Sequence, residues 1–259
     1  MKIFIGQVQK SAYIQKHKDL LAKARRVFIV CAIIFGSTIV LMETVLKDFT
    51  KSSPVESSVF IESSTGRGSG FLTGPTTIIT ARHVVDDLEL GETLRVTFRD
   101  QEKKPITTKA SLFWKANKSD STGSSKSDHE TDFAILKLIN QTVLPKGTSG
   151  LAIGNSSTVI NGDEIICESY PSGIKSYEEG KISNTSLQVG SNEGEVDVLQ
   201  LSINVMQGSS GGAIRLKSTN EIIGVLSSGF EKNGSSIIFA PKMNKLKELA
   251  DSMGIDLTK

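Results

Sequence analysis

The stretch Ile78–Val85 reads IITARHVV and contains a single histidine, His83. Apolar and β-prone residues precede His83 and two valines follow it, so the pattern predicts a histidine at the end of a buried strand. A lone histidine of this kind is usually a hydrogen-bonded core residue, because burial with one satisfying partner explains most such cases. Its interpretation depends on what the rest of the chain can place beside it.

Two other stretches supply the residue types that a catalytic histidine requires. Asp132 opens the apolar run of TDFAILKL, where a lone aspartate is usually a turn or capping residue. Ser210 lies in VMQGSSGGAI, residues 205–214, whose glycines permit a tight backbone arch that exposes a side chain while N–H groups converge. Serine becomes a nucleophile when a base takes its proton, a histidine can be that base, and a buried carboxylate fixes the histidine tautomer.

In this order, TARHVV, TDFAILKL and GSSGGAI resemble the His, Asp and Ser motifs of the trypsin-like (chymotrypsin-fold) serine proteases. The resemblance is closer still to the disulfide-free bacterial branch, which includes proteases of the high-temperature-requirement type. Four further segments resemble other parts of that family: GSGFLTG (68–74), NGDEIICESYPSG (161–173), IIGVLSSG (222–229) and FAPKMNKLKEL (239–249). The resemblance covers roughly residues 58–254 and implies two six-stranded antiparallel β-barrels with a C-terminal helix.

The resemblance also implies a role for each matching residue. Ser210 is expected to be the nucleophile, His83 the general base and acid, and Asp132 the carboxylate that orients the histidine. The backbone N–H groups of Gly208 and Ser210 are expected to form the oxyanion hole.

Substrate binding is expected at three other positions. Ser227 and Gly229 match the edge along which a substrate peptide pairs as an added strand. Asn204 falls near the base of the family's specificity pocket, and the lack of an aspartate there argues against a strong preference for arginine or lysine. The expected preference is for a small or medium uncharged side chain.

Rival candidates are weaker on physical grounds. Ser209 adjoins Ser210, but the family pattern places the nucleophile directly before the paired glycines. Asp128 and His129 lie in the polar insert 115–131, KANKSDSTGSSKSDHET, which we expect to be a surface loop with nothing to hold a side chain rigidly.

Two departures from the family pattern carry expectations of their own. Secreted digestive members have an acid at the position of Ser209, which pairs with a new N-terminus after activation cleavage, so no zymogen activation of that kind is expected here. The chain also ends soon after the last predicted helix, so a PDZ domain of the kind that many bacterial relatives carry is not expected.

The body, residues 58–259, is predicted to be one all-β protease domain. Its apolar or alternating runs are short and separated by turn residues, which is typical of sandwiches and barrels. A helix is predicted over Pro241–Met253, where apolar residues recur at helical spacing before Gly254. The predicted strands are Ser58–Glu62, Thr77–Thr80, Leu94–Phe98, Phe133–Leu138, Glu164–Ser169, Val196–Ile203, Ile222–Leu226 and Ser236–Ala240.

The N-terminal region has a different character. Residues 1–26 hold seven basic residues against one acidic residue and form a predicted cytoplasmic tail of net charge +6. Residues 27–46 contain sixteen consecutive uncharged residues, Val27–Met42, and are predicted to be an uncleaved transmembrane signal anchor. Residues 47–57 are the predicted tether to an exported body. A cleaved signal peptide and a buried core helix remain alternatives for the apolar run.

Composition limits the remaining function classes. The net charge of the whole chain is +2, so residues 27–259 carry −4 and nucleic-acid binding is not expected. Cys31 and Cys167 are the two cysteines and the three histidines show no ligand spacing, so we predict neither a metal site nor a cofactor.

The sequence therefore predicts a serine endopeptidase of a bacterial membrane that acts on protein or peptide substrates, with its oligomeric state open. Two alternatives keep the same fold without chemistry. One is a catalytically silent peptide-binding module, and the other is an interaction scaffold at the membrane.

Overall fold

The computed structural model describes residues 57–64, 66–99, 104–117, 126–140, 144–145, 148–188, 195–227, 229–232 and 235–259. The predicted tail, the predicted anchor at residues 27–46 and all but the last residue of the tether lie outside these ranges. Among the residues described, no helix is long and apolar enough to cross a membrane.

The first six strands form a closed antiparallel barrel in the order β1-β2-β3-β6-β5-β4. Its interior is filled by large apolar side chains that are fully buried, among them Phe71, Phe98 and Ile135. In β4 exposed and buried residues alternate, as expected for a sheet with one face in a core. The strands are β1 (Ser58–Glu62), β2 (Arg67–Leu72), β3 (Thr77–Thr80), β4 (Thr93–Arg99), β5 (Pro105–Lys115) and β6 (Ala134–Leu138).

The second half forms a seven-stranded antiparallel sheet in the order β13-β12-β7-β8-β11-β15-β14. A separate two-stranded ladder joins β9 to β10. The strands are β7 (Glu164–Ser169), β8 (Ser176–Asn184), β9 (Leu187–Gln188), β10 (Glu195–Val196), β11 (Val198–Ser202), β12 (Ala213–Leu216), β13 (Ile222–Val225), β14 (Gly229–Lys232) and β15 (Ser235–Pro241).

This sheet confirms the prediction of a second six-stranded barrel in part, since it is a half-barrel with one additional strand. Six of its strands curl until one residue pair, Gly224 and Lys242, joins β13 to the chain leaving β15. Gly224 allows this approach, because a Cβ there would lie 3.0 Å from the Pro241 carbonyl oxygen. The seventh strand, β14, pairs only with β15 and therefore lies outside the curled set.

Short helices complete the described fold. Helix α1 spans Lys126–Glu130 and β5 ends at Lys115, so the prediction of a surface loop over residues 115–131 is wrong at both ends. Helix α2 spans Met243–Ser252 and buries Met243, Leu246 and Ala250, which confirms the predicted C-terminal helix. It begins later than predicted because Pro241 still belongs to β15.

A buried ion pair lies in the second sheet where it meets the first barrel. Arg215 on β12 donates to Glu168 on β7 over 2.6 Å, and both residues are almost fully buried. The other carboxylate oxygen of Glu168 accepts a hydrogen bond of 3.1 Å from Ser58 on β1. The two halves are thus joined by polar contacts as well as by apolar packing.

Candidate active site

The pairing of β3 with β6 brings His83 and Asp132 together. Thr80 pairs with Ala134, so the 3-10 turn that follows β3 lies beside the residues that precede β6. His83 Nδ1 lies 2.7 Å from Asp132 Oδ2, and the His83 backbone N–H donates to Asp132 Oδ1 over 3.0 Å. Both carboxylate oxygens are therefore engaged by one histidine, which fixes the orientation of its ring.

The surroundings shift the pKa of both groups. Burial alone would lower the pKa of His83, but the hydrogen bond and the negative charge of Asp132 outweigh it and hold that pKa above its usual 6.5. Burial alone would raise the pKa of Asp132, but the hydrogen bonds and charge of His83, with a hydrogen bond from Ser227, hold it below the usual value. Asp132 is thus a carboxylate and His83 a base strengthened by it.

Ser210 lies on a tight arch between β11 and β12. The Ser209 N–H donates to the Met206 carbonyl over 3.0 Å, and Gly208 between them has a φ of +93°, the backbone conformation that glycine adopts at the third position of a type II turn. Gly211, with a φ of +87°, could not carry a side chain, because a Cβ there would lie 2.0 Å from the Ser69 carbonyl oxygen. Gly208 is therefore required by its backbone conformation and Gly211 by the lack of space for a side chain.

The Ser210 hydroxyl donates to the backbone carbonyl of Ser227 over 2.8 Å. The Ser227 hydroxyl in turn donates to Asp132 Oδ2, the same oxygen that faces His83 Nδ1. Ser227 thus joins Ser210 to the His83–Asp132 pair in one continuous set of contacts. No hydrogen bond joins Ser210 directly to His83 in the described part of the chain.

The hydroxyl of Ser227 is a contact that sequence reasoning missed. The resemblance placed Ser227 on a substrate-binding edge because of its backbone, and nothing in IIGVLSSG indicates which way the side chain points. The side chain is buried and faces Asp132 from the second sheet.

Two backbone N–H groups of the arch are available to a ligand. Within the described residues, the N–H groups of Gly208 and Ser210 donate to no protein acceptor, whereas those of Ser209 and Gly211 do. Two unpaired donors, one on each side of Ser209, are what stabilisation of an oxyanion requires.

The other predicted positions lie outside this set of contacts. Asn204 is exposed, and Gly229 begins β14 opposite Ile238. The expectation that nothing holds the insert rigidly is wrong at its C-terminal end, because the His129 ring packs edge-on against Phe239 with centroids 5.0 Å apart. Glu130 next to it accepts the Asp197 N–H over 2.8 Å.

Candidate metal ligands and one cysteine also occur among the described residues. No group of three or more candidate ligands lies close enough to hold a metal ion there. Cys167 is a free, fully buried thiol, and burial raises its pKa to about 12. A thiol held in its neutral form inside a core is inert.

The signature of the trypsin-like peptidase domain matches residues 68–225, which is more than half of the chain. The chain belongs to the trypsin-like peptidase domain family. The match includes His83, Asp132 and Ser210 and confirms the resemblance described above. No protein of curated function matches the sequence significantly.

Solved structures of this trypsin-like fold superpose on the chain at low sequence identity. The HtrA-type protease AlgW, solved with a tripeptide, is 22% identical with a TM-score of 0.56, over 79% of this chain and 61% of AlgW. Deg5 is 22% identical with a TM-score of 0.55, over 80% of this chain and 92% of Deg5. The Rv3671c protease of M. tuberculosis in an inactive form is 20% identical with a TM-score of 0.56, over 78% of this chain and 91% of Rv3671c. These likenesses concern the fold.

Proposed function

We propose that the protein is a serine endopeptidase that hydrolyses peptide bonds through an acyl-enzyme. The observation that supports this most directly is the unbroken set of contacts from Ser210 through Ser227 and Asp132 to His83, within a trypsin-like peptidase domain. Each residue type is one that acyl transfer requires, and the contacts join both halves of the fold at one place.

The first chemical step needs one rotation. The Ser210 hydroxyl leaves the Ser227 carbonyl and turns toward His83, whose Nε2 is the free ring nitrogen because Asp132 occupies the Nδ1 side. His83 then takes the hydroxyl proton as Ser210 Oγ attacks the substrate carbonyl carbon. The imidazolium that forms is stabilised by the Asp132 carboxylate.

The oxyanion faces the two unpaired N–H groups, those of Gly208 and Ser210. His83 returns its proton to the leaving amine as the C–N bond breaks, which leaves an acyl group on Ser210. Water then attacks the acyl carbon with His83 again accepting a proton, and the acid product and free serine are released.

A substrate peptide would lie along the edge that begins at Ser227 and continues into β14. Once the Ser210 hydroxyl has turned away, the Ser227 carbonyl is free to accept a substrate N–H. For the side chain next to the cleaved bond we propose a small or medium uncharged group, since Asn204 brings no negative charge to the expected specificity pocket.

A fluorophosphonate probe tests this function because it reacts only with an activated serine. The wild type is expected to be labelled, and Ser210→Ala to lose the label completely. The matched control is Ser209→Ala, which removes the neighbouring hydroxyl and is expected to keep the label. A folded wild type that resists labelling would instead indicate the silent peptide-binding module.

We also propose that residues 27–46 anchor the chain in a bacterial membrane, with the tail cytoplasmic and the peptidase domain exported. Support comes from the uncharged run Val27–Met42 and from the basic residues before it. Alkaline phosphatase fused after residue 60 should be active if the body is exported. An inactive fusion, with the fusion protein present in the membrane fraction, would reverse the orientation.

A further inference from the structure

Ser69 lies in the middle of β2, in the first barrel, with no exposed surface. Its backbone N–H donates to the Ser210 carbonyl over 2.7 Å, and its own carbonyl accepts the Thr80 hydroxyl over 2.7 Å. Its hydroxyl donates to the Gly208 carbonyl over 2.8 Å and accepts the Tyr170 N–H over 2.7 Å. All polar groups of this residue are therefore used, and two of them hold the arch that carries Ser210.

The contact with Gly208 is the informative one. Gly208 is one of the two residues whose N–H groups are unpaired. Its carbonyl shares a peptide plane with the Ser209 N–H, and this plane lies between the plane that carries the Gly208 N–H and the plane that carries the Ser210 N–H. Fixing the middle plane therefore limits how the two flanking N–H groups can turn. The Ser69 hydroxyl fixes that carbonyl from the opposite barrel. On its other side Gly208 packs closely on the turn Pro171–Gly173, because a Cβ there would lie 3.1 Å from the Ser172 nitrogen.

Among the described residues, no charged group donates a hydrogen bond to the Gly208 carbonyl, which accepts one from the neutral Ser69 hydroxyl. Ser209 is neutral, and its side chain receives only a long contact of 3.4 Å from the Met206 N–H. An arch of three glycines has many alternative conformations, so an external contact is needed to keep one of them.

We propose that Ser69 is a positioning residue that holds the oxyanion hole formed by Gly208 and Ser210 in its working shape. This inference rests on the proposed peptidase function. The hydroxyl never touches the substrate and acts through the Gly208 carbonyl. The arch consequently needs no new N-terminus and no activation cleavage, because a side chain already present in the folded first barrel holds it.

The test compares Ser69→Ala with Ser58→Ala. Both remove a fully buried serine hydroxyl that crosses from the first barrel to the second sheet, but Ser58 contacts Glu168 and not the arch. Loss of one oxyanion donor costs about 10²–10³ in kcat, so loss of its positioning in Ser69→Ala should cost about 10- to 100-fold. KM should stay within about twofold, because ground-state binding is unaffected.

Affinity for a peptide boronate supplies a readout that a purely structural role would not move. A boronate bound to Ser210 uses the oxyanion hole, so its affinity should fall in Ser69→Ala by the same factor as kcat/KM. The affinity of a product-like peptide, which does not use the hole, should not change. Ser58→Ala should behave as wild type in all three measurements.

Several results would overturn the inference. They are unchanged kcat in Ser69→Ala, an equal loss in Ser58→Ala, or an equal loss of product and boronate affinity. If Ser69→Ala does not fold, Ser69→Cys replaces it, since a thiol of similar shape is a weaker donor to the Gly208 carbonyl. Ser69→Cys is expected to lower kcat several-fold at constant KM, and full activity there would refute the positioning role.

A failure of the peptidase function itself is recognised separately, by a wild type that no fluorophosphonate labels. The Ser69 contact is then judged from amide NMR spectra. Ser69→Ala should shift or broaden the Gly208 and Ser210 signals while Ser58→Ala leaves them in place. Unchanged signals would overturn the positioning role without any reference to activity.

Discussion

Replacing Asp132 by asparagine should disable the site by forcing the wrong histidine tautomer. Asp132 Oδ1 accepts the backbone N–H of His83, which is always a donor, so the amide oxygen of the asparagine must occupy that position. The amide NH₂ then takes the place of Oδ2, against His83 Nδ1 and the Ser227 hydroxyl. His83 Nδ1 becomes an acceptor, the ring proton moves to Nε2, and His83 can no longer take a proton from Ser210.

The size of the loss follows from two contributions. Without the carboxylate, the transition state loses an attraction worth about 4 kcal/mol for opposite charges about 4 Å apart at an effective dielectric constant of 20. The useful tautomer carries its proton on His83 Nδ1, where the N–H would face the NH₂ of the asparagine. This contact between two donors costs about 1–3 kcal/mol. The sum of about 5–7 kcal/mol corresponds to about 10⁴–10⁵ in kcat. The His83 side chain is 36% exposed, so solvent screening favours the lower end.

The assay is hydrolysis of a peptide substrate, with the concentration of folded enzyme set by absorbance and circular dichroism. The nitrogen chemical shifts of His83 report its tautomer directly. Asp128→Asn is the matched control, since it makes the same change in helix α1 and should leave kcat within about twofold. If Asp132→Asn kept more than about a tenth of the wild-type kcat, the tautomer argument would be refuted.

Three further predictions concern pH, stability and reactivity. Because His83 must be neutral to act as a base and its pKa is held above 6.5, kcat/KM should fall as the pH drops through that raised pKa, and a profile flat down to pH 6 would contradict this. Glu168→Gln leaves the buried Arg215 without its counter-charge and should lower the free energy of unfolding in urea by about 3–5 kcal/mol, whereas a loss below 1 kcal/mol would mean that water reaches the pair. Cys167 should resist maleimide at neutral pH until the chain is unfolded in urea, and rapid labelling at Cys167 itself in the native protein, located by peptide mapping, would contradict its burial.

The strands that the sequence predicted at their observed bounds are short apolar runs, such as Thr77–Thr80 and Glu164–Ser169. Two of the strands it missed, β8 and β2, lack that pattern. Strand β8, SYEEGKISN, is polar on most positions and is a strand because β7 and β11 pair with it on both sides. In strand β2, RGSGFL, the glycines interrupt the apolar pattern that would predict a strand. Close packing requires them, since a Cβ at Gly68 would lie 2.6 Å from the Val84 side chain.

Part of the candidate site could likewise be predicted from the sequence and part could not. Residue type and order pointed to His83, Asp132 and Ser210, and the 2.7 Å contact between the first two followed from strand pairing. Their catalytic roles stay predictions. The rotamer of Ser210, the hydroxyl of Ser227 on Asp132 and the hydroxyl of Ser69 on Gly208 depend on side-chain directions across the two halves of the fold. One sequence read along its length cannot supply these directions.

The division of the site between the two halves has a consequence for the making of the protein. His83 and Asp132 belong to the first barrel, whereas Ser210 and Ser227 belong to the second sheet, which the ribosome completes much later. A nascent chain therefore holds a base without a nucleophile, and a chain whose halves have not docked holds both but not together. The proteolytic activity proposed here would appear only when the two halves of the fold dock, which protects incompletely folded copies of the chain from one another.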